Sequence, residues 1–143
     1  MIQDVIDRLK AMAPSLSDVS AAEDLAALAE GIAPKSGATF VIPYRELGSP
    51  NSRASGGFRQ EVGVQILVAF VVRRHDDSKG AKRVSQFDTY SGEIEAALAG
   101  WAIEPGNELF WLAAGKSAPL GRGNGATVYV QTWQTSRFIR KGN

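Results

Sequence analysis

Every second residue between positions 62 and 72 carries a large apolar side chain. Because successive residues of a strand point to opposite faces, these side chains share one face. They are Val62, Val64, Ile66, Val68, Phe70 and Val72. The other face starts polar, with Glu61, Gly63 and Gln65, and becomes apolar at Leu67, Ala69 and Val71. We therefore predict a strand over residues 61–73 with one face buried throughout and the second face buried only in its C-terminal half. At about 3.3 Å per residue such a strand is about 40 Å long, against an average of about 17–20 Å. It should project beyond its neighbours or carry a bulge.

Two short helices and a strand are predicted before it. Ile2, Val5, Ile6 and Leu9 lie at the spacing of one helical face, and Pro14 ends that helix. The sequence from Ser20 to Glu23 fits a capping box, which predicts a second helix through Leu25, Leu28 and Ile32 with Gly31 and Pro34 as stop signals. Residues 38–42 are typical of a buried strand that ends at Pro43.

One helix and two strands are predicted after it. Residues repeating at intervals of three and four predict a long helix that ends near Gly100 and Pro105; they are Val84, Phe87, Ser91, Ile94, Leu98 and Trp101. Residues 108–114 are typical of a strand buried on both faces. In a last strand over residues 127–138, Val128 and Val130 face one way and Tyr129, Gln131 and Trp133 the other.

Three polar segments connect these elements. Residues 45–57 are rich in Ser, Pro, Asn and Gly, which predicts a long loop without periodic structure. The charged residues 73–80 should break the sheet, and the Gly-rich residues 115–125 should form a flexible hairpin loop. The predicted fold is α+β, a single domain over residues 1–143. It contains one mostly antiparallel four-stranded sheet with helices packed on it, in the order α-α-β-β-α-β-β.

Composition excludes several kinds of chemistry. The chain has no cysteine and one histidine, so disulfides, thiolate zinc sites, a cysteine nucleophile and multi-histidine metal clusters are excluded. No apolar run approaches the ~20 residues that span a bilayer, and the N-terminal sequence lacks the pattern of a signal peptide. We expect the protein to work in the cytoplasm or in something assembled there.

The motifs that resemble catalytic sites fail on spacing. Gly115-Lys116-Ser117 is similar to the end of a phosphate-binding loop, but Phe110 stands where the first glycine is required. Gly121, Gly123 and Gly125 have the wrong spacing for a dinucleotide site and precede a strand. His75 with Asp76 and Asp77 is better explained as a solvated loop than as an acid–base site. We expect no enzyme activity, no cofactor and no metal.

Charge is distributed unevenly along the chain. Residues 1–34 carry a net charge of −4, residues 35–108 are neutral, and residues 109–143 carry +5 with no acid. In a head-to-tail assembly of identical chains, one patch on each copy meets a different patch on the next. Asp4 and Asp7 on one side, and Arg137 and Arg140 on the other, are therefore candidate subunit-interface residues. Solvated surfaces, or pairing within one subunit, are the alternative.

The arrangement as a whole resembles the tail terminator (tail completion) proteins of long-tailed bacteriophages. The resemblance rests on the N-terminal helices, the segment 38–43, a polar loop ending at Gln60, the strand 62–72 with Arg73 and Asp76 behind it, the helix ending at Trp101, and the closing residues 129–133. It implies a hexameric ring in the virion that caps the tail tube at its neck end, ends tube polymerisation and joins the tail to the head. The implied partners are other copies of the chain, the tail tube protein and a head–tail connector. Phage DNA would pass through the lumen without sequence-specific binding, and no membrane would be involved.

The loop over residues 45–57 is the candidate assembly loop of such a ring, with Arg45, Arg53 and Arg59 as its contact residues. We expect this loop to order against a neighbouring subunit or the tube. Trp101 is predicted to anchor the core rather than to bind a ligand. Two other functions remain open: another neck or head–tail joining protein, and a small nucleic-acid-binding module that uses the basic C-terminal strand and the Gly-rich loop.

Overall fold

The computed structural model describes residues 1–24, 26–29, 34–73, 81–119 and 125–142. Its elements are helix α1 (Ile2–Met12), strand β1 (Asp18–Ala21), a 3₁₀ turn (Ala26–Ala29), strands β2 (Ala38–Asn51) and β3 (Phe58–Arg73), helix α2 (Ala81–Leu98), and strands β4 (Trp111–Pro119) and β5 (Ala126–Lys141). The five strands form one mixed sheet in the order β1-β2-β3-β5-β4. β1 runs parallel to β2, and the other pairs are antiparallel. The prediction of an α+β fold is confirmed, whereas four strands and the order α-α-β-β-α-β-β are corrected.

The sheet has two parts of different width. β1 pairs only with residues 38–41 of β2, and β4 pairs only with residues 127–134 of β5. All five strands therefore lie side by side in one half, which we call the body. Three strands continue beyond it as the arm, formed by residues 45–51, 58–64 and 135–141. The prediction that the long strand projects beyond its neighbours is wrong, because its neighbours β2 and β5 continue beside it into the arm; the register shifts lie between β2 and β3.

The two faces of β3 are buried in different hydrophobic clusters. The predicted first face, from Val62 to Val72, packs in the main core with Val5 and Leu9 of α1 and Ile94 and Leu98 of α2. The second face contributes Leu67, Ala69 and Val71 to a smaller cluster with residues of β2, β5 and the 3₁₀ turn. Gln65, where the second face turns polar, bonds to its strand neighbours instead. The alternation thus predicted both the strand and the change on its second face.

Aromatic rings and one polar chain fasten α2 to the sheet. The Phe70 ring lies between 5.6 and 5.9 Å, centroid to centroid, from the rings of Phe87, Tyr90 and Tyr129. Trp133 Nε1–H donates to Gln131 Oε1 at 3.0 Å, and Gln131 Nε2–H donates to Ser91 Oγ at 3.1 Å. The predicted division of β5 into two faces is confirmed, since Val128 and Val130 lie in the smaller cluster, whereas Trp133 lies in the main core and Tyr129 packs against it.

The predicted loop over residues 45–57 is wrong for its first half. Residues 45–51 continue β2 into the arm, and the connection to β3 is only residues 52–57. β2 shifts register between Pro43 and Arg45 and again between Gly48 and Asn51. Bulges and prolines are tolerated on an edge strand, and side chains exposed on both faces leave no apolar alternation to detect.

The predicted start of the second helix at Ser20 is also wrong, and its described part, Ala26–Ala29, is a 3₁₀ turn. Ser20 lies in β1, opposite Phe40 of β2, so it caps no helix. The short 3₁₀ turn is capped instead by Asp24, whose Oδ1 accepts a hydrogen bond from Ala27 N–H at 2.9 Å. Leu25, Gly31 and Ile32 lie outside the described residues. Parallel pairing with β2 overrides the local helical pattern here.

Three boundaries differ in the C-terminal half. α2 ends at Leu98, followed by Gly100 at φ 75°, so Trp101 lies beyond the helix. Trp101 still packs against the main core, stacked on Phe110 at 5.7 Å, as predicted.

The prediction that Val84 is a core residue is wrong, because its side chain is 62% exposed. β4 starts at Trp111 and continues to Pro119, so residues 115–119 of the predicted loop are strand. β3 ends at Arg73, where the charged segment was predicted to break the sheet. The rest of that segment, residues 74–80, and residues 120–124 of the predicted Gly-rich loop lie outside the described residues.

Candidate functional site

An exposed apolar surface lies where β4 begins, at one edge of the sheet. Leu109, Trp111 and Leu112 are 53%, 49% and 42% exposed, and we call these three residues the edge patch. The prediction that residues 108–114 are buried on both faces is therefore wrong. Its cause is that β4 is paired on one side only, with β5. Edge strands with exposed apolar residues associate with other chains unless something covers them.

The edge patch is held rigidly. Between its members, Phe110 is fully buried and stacks on Trp101. The Phe110 N–H donates to Trp101 O at 2.8 Å, and Gly100 N–H donates to Phe110 O at 3.0 Å. Trp111 pairs with Gln134 and Leu112 with Trp133, so their side chains lie on opposite faces of the edge. A patch anchored in this way loses little conformational entropy when it is covered.

An apolar groove of about 510 Å³ lies beside the start of α1, on the side of the sheet formed by β2 and β3. Ile2 at the start of α1, Pro43 and Tyr44 at the β2 bulge, and Val64 and Ile66 of β3 contribute its apolar lining. Glu46 and Arg137 also line it. We call it the α1–β2 groove. It lies next to the part of β2 that β1 does not reach.

The predicted interface residues of α1 have partners close by in the sequence. The Asp4 carboxylate lies 3.2 Å from the Met1 ammonium, and Asp7 Oδ1 accepts from Gln3 Nε2–H at 2.8 Å. Asp4 also lines a groove of about 290 Å³ together with Arg137. The structure thus brings Asp4 and Arg137 to one side of a single subunit rather than to opposite sides.

Arg137 has an ion-pair partner within the subunit. Its Nε–H and Nη2–H donate to the two carboxylate oxygens of Glu46 at 3.2 and 3.1 Å. The hydrogen bonds that Arg137 donates to the Glu46 carboxylate raise the pKa of its guanidinium, and the negative charge of Glu46 adds to this effect. Both side chains are exposed, so the pair contributes only about 0.2–1 kcal/mol to folding.

The other predicted arginines lie at separate places along the arm. Arg45 Nε–H donates to Gln65 Oε1 at 2.7 Å, and Gln65 Nε2–H donates to Gln134 Oε1 at 2.8 Å. Arg53 lies in the connection, where its backbone N–H donates to Asn51 Oδ1. Arg45 therefore lies apart from the other two, whereas Arg53 and Arg59 both donate a backbone N–H to Asn51 Oδ1.

Arg59 and Arg140 come together at the end of the arm. They are directly opposite each other on β3 and β5. Their guanidinium carbons lie 3.9 and 5.2 Å from the centroid of the Phe138 ring. Of the predicted candidate residues, these two are the pair that the fold places side by side with like charge.

Sequence reasoning missed the edge patch. The run from Leu109 to Leu112 was interpreted as core because it is apolar at four consecutive positions. The signal that was available is its flanks: Asn107 and Glu108 before it, and Gly115, Lys116 and Ser117 soon after it, are polar or small. Such a short apolar run with polar flanks also fits an interface at an edge.

The part of the chain that the structure describes offers neither a metal site nor a membrane-spanning helix. No group of three or more histidine, aspartate and glutamate side chains gathers there in a way that could hold a metal ion. Among the same residues, neither helix combines the length and the hydropathy required to cross a membrane.

One family model matches the whole chain, and one solved structure shares its fold. A family model described as "Phage tail terminator protein" matches residues 1–143. Among solved structures, a chain of the "Virion of native gene transfer agent (GTA) particle" matches with a TM-score of 0.57 and 13% identity, over 96% of this chain and 92% of that chain. At this identity the similarity concerns the fold alone. No curated protein sequence matches the chain at a significant level.

Proposed function

Because the chain belongs to the family of phage tail terminator proteins, which are structural proteins of phage tails, we propose that it ends the growth of a tail tube. Six copies form a ring on the finished tube, prevent the addition of further tail tube protein and offer the other face of the ring to a head–tail connector. The ring is assembled in the host cytoplasm and lies at the neck end of the tail. DNA passes through its lumen without sequence-specific recognition, and the protein has no catalytic role.

The observation that carries the ring is the position of the edge patch relative to the α1–β2 groove. A closed ring requires two different, mutually complementary surfaces on each subunit. The edge patch consists of Leu109 just before β4 and Trp111 and Leu112 in β4, and the groove offers an apolar recess beside α1 on the β2 side of the sheet. We therefore assign the subunit contact to the edge patch of one copy seated in the α1–β2 groove of the next.

The chemistry of the two surfaces supports this assignment. Tryptophan is the residue that most often dominates the energy of protein interfaces, and Trp111 is the largest side chain of the edge patch. Tyr44 supplies an exposed aromatic ring at the mouth of the groove. Arg137 and Glu46 at the groove form a polar rim around an apolar centre, as in ordinary interfaces.

Loss of the edge patch should abolish the ring without unfolding the subunit. In a Trp111→Ala/Leu112→Ala variant we expect the particle of about 92 kDa, six chains of 15.3 kDa, to be replaced by monomers in sedimentation analysis. Val84→Ala is the matched control, because Val84 is an exposed apolar residue outside both surfaces. The same variants should keep a melting temperature close to that of the original protein. Rings that survive the double substitution would overturn the assigned contact.

Tail length tests termination itself. Tubes assembled with the Trp111→Ala/Leu112→Ala variant should grow beyond their normal length in electron micrographs, whereas tubes assembled with Val84→Ala should not. Normal tube lengths with tails that fail to join heads would instead indicate a connector protein. Labelling the protein in purified tails would then show whether it lies at the end of the tube.

The predicted charge contact competes with the apolar contact. Pairing of Asp4 and Asp7 with Arg137 and Arg140 across subunits stays a prediction. Arg137 already forms an ion pair with Glu46 of its own chain. Arg140→Glu separates the two contacts: the apolar contact predicts that rings persist, and the charge contact predicts that they weaken and recover when Asp4 is also changed to lysine.

A further inference from the structure

The tip of the arm is a basic surface without acidic residues. We define the tip as residues 49–60 and 138–142, which include Arg53, Arg59, Arg140 and Lys141 but no aspartate or glutamate. β3 and β5 bring the two segments together, since Phe58 pairs with Lys141 and Arg59 with Arg140. Four positive charges therefore lie at one end of the molecule, with Arg59 and Arg140 on one face of the strands and Lys141 on the other, although they come from parts of the chain about eighty residues apart.

Arg59 and Arg140 occupy an arrangement that is unfavourable in the subunit alone. Like charges directly opposite each other on neighbouring strands destabilise a sheet. Both guanidinium groups lie over the Phe138 ring, at 3.9 and 5.2 Å, and this ring holds them side by side. The backbone of Arg59 is fixed as well, because its N–H donates to Asn51 Oδ1 at 2.9 Å and its carbonyl accepts from Ser52 N–H at 2.8 Å.

No carboxylate of the described residues compensates this pair. Among all the described residues, the ion pairs join Met1 with Asp4 and Arg137 with Glu46, and neither pair includes a residue of the tip. Glu61 follows the tip in β3 and lies opposite Phe138 of β5. Its carboxylate oxygens form no ion pair, at 4.0 Å or less, with the guanidinium nitrogens of Arg59 or Arg140. Two preorganised guanidinium groups without an anion, held on an aromatic ring, form a site that lacks its negative partner.

The anion that fits best is phosphate. A protein partner would require an apolar centre within a polar rim, and the large exposed apolar side chains of the described chain all lie outside the tip. Phosphate groups are bound by arginine, lysine and small polar side chains without apolar contact, and planar guanidinium groups match phosphate oxygens in pairs. We propose that the tip of the arm binds the phosphate backbone of nucleic acid, without reading its sequence. This inference does not rest on the ring, because one subunit carries the whole site.

The test measures binding of the full chain to a 30-base-pair DNA duplex of mixed sequence over a range of salt concentrations. If the four tip cations each neutralise one phosphate, affinity should fall roughly 100-fold between 50 and 200 mM salt. Arg59→Gln/Arg140→Gln should reduce that fall to roughly 10-fold, because two phosphate contacts are lost. Arg59→Lys/Arg140→Lys keeps both charges and should retain most of the salt dependence.

Two control variants separate a local effect from a change in total charge. Lys10→Gln/Lys116→Gln removes two positive charges outside the arm and should leave DNA binding nearly unchanged. Glu46→Gln/Arg137→Gln removes the ion pair from the arm, keeps the net charge, and should also leave the salt dependence unchanged. Circular dichroism melts confirm that each variant folds.

Several results would overturn the proposal. They are no detectable DNA binding at 50 mM salt, the same loss of binding in the Lys10→Gln/Lys116→Gln control as in Arg59→Gln/Arg140→Gln, and a salt dependence that the arginine variant does not change. Tighter binding to polyglutamate than to DNA of equal charge would assign the tip to an acidic protein surface instead, such as α1 of a second copy. A failed ring with intact DNA binding would leave this inference standing and overturn only the ring.

Discussion

Replacement of Gln131 by leucine should expose the energetic role of the polar chain beneath α2. Trp133 is fully buried, and its indole N–H has Gln131 Oε1 as its acceptor at 3.0 Å. Gln131→Leu fills a similar volume but leaves this buried donor without an acceptor, which costs about 1–3 kcal/mol. Ser91 Oγ loses a donor in the same variant but keeps a contact with Glu95 Oε1 at 3.4 Å, so it adds little. We expect the free energy of unfolding to fall by about 2 kcal/mol.

The double variant distinguishes an orphaned hydrogen bond from a simple loss of packing. Trp133→Phe alone leaves the Gln131 oxygen unpaired and the core underpacked, at a cost of about 1–3 kcal/mol. When both residues are replaced, no buried polar atom remains orphaned, so the double variant should be about 1–2 kcal/mol more stable than the two single costs predict. Urea unfolding followed by circular dichroism measures all four proteins, with an unchanged denaturant slope as the check on two-state behaviour. Costs that add to within about 0.5 kcal/mol would refute the reasoning.

Two further predictions concern the backbone and a titrating group. Gly37→Ala should destabilise the protein by about 1–2 kcal/mol more than Gly100→Ala in thermal unfolding. Both glycines have positive φ, at 85° and 75°, but a Cβ at Gly37 would lie 3.2 Å from Tyr90 Oη, whereas a Cβ at Gly100 meets nothing within 4 Å; equal losses would contradict this. Burial raises the pKa of the Tyr90 phenol, and the charge of Glu93 raises it further. The contribution of Tyr90 to the free energy of unfolding is therefore fully present below about pH 10, the pKa of unfolded tyrosine. It is lost as pH rises through the higher pKa of the folded state. Tyr90→Phe should lose less stability than the original protein between pH 9 and pH 11 in urea unfolding, and identical losses would show that Tyr90 is not the group responsible.

The central strands were predictable because their environment imposes a period on the sequence. β3 is covered on both faces in the body and on one face nearer the arm, and the change from Gln65 to Leu67 on its second face marks that boundary. In β5, Val130 and Trp133 lie in different clusters on opposite faces, and this difference also predicted the two faces of the strand. A buried sheet face leaves few acceptable residue types, so the pattern survives in a single sequence.

The edges were not predictable in the same way. In the arm, residues 45–51 are exposed on both faces, so nothing selects apolar residues at alternate positions. β1 is four residues long and depends on its parallel pairing with β2, a long-range contact that local propensity does not contain. The run from Leu109 to Leu112 is ambiguous for a different reason. Apolar residues occur both in buried strands and at exposed protein interfaces, so the sequence alone does not distinguish the two.

The candidate site was predicted in its charge but not in its geometry. Counting charges along the chain identified Arg137 and Arg140 together, but neighbouring odd and even positions of β5 face opposite ways. Arg137 therefore meets Glu46 on one face, while Arg140 meets Arg59 on the other. The partner of each arginine depends on the register between β2, β3 and β5, which a single sequence does not show.

The pairing of β3 with β5 has a mechanical consequence. The two strands pair at sixteen successive positions, from Phe58 opposite Lys141 to Arg73 opposite Ala126, without a register shift. At about 3.3 Å per residue this ladder is about 50 Å long, and the same hydrogen-bonded ribbon forms the middle of both the arm and the body. The β3–β5 ladder crosses the root of the arm without a break, although β2 shifts register there, between Pro43 and Arg45. We therefore expect a load applied at the far end of the arm to tilt the whole sheet, so that the chain transmits a displacement along its length without unfolding.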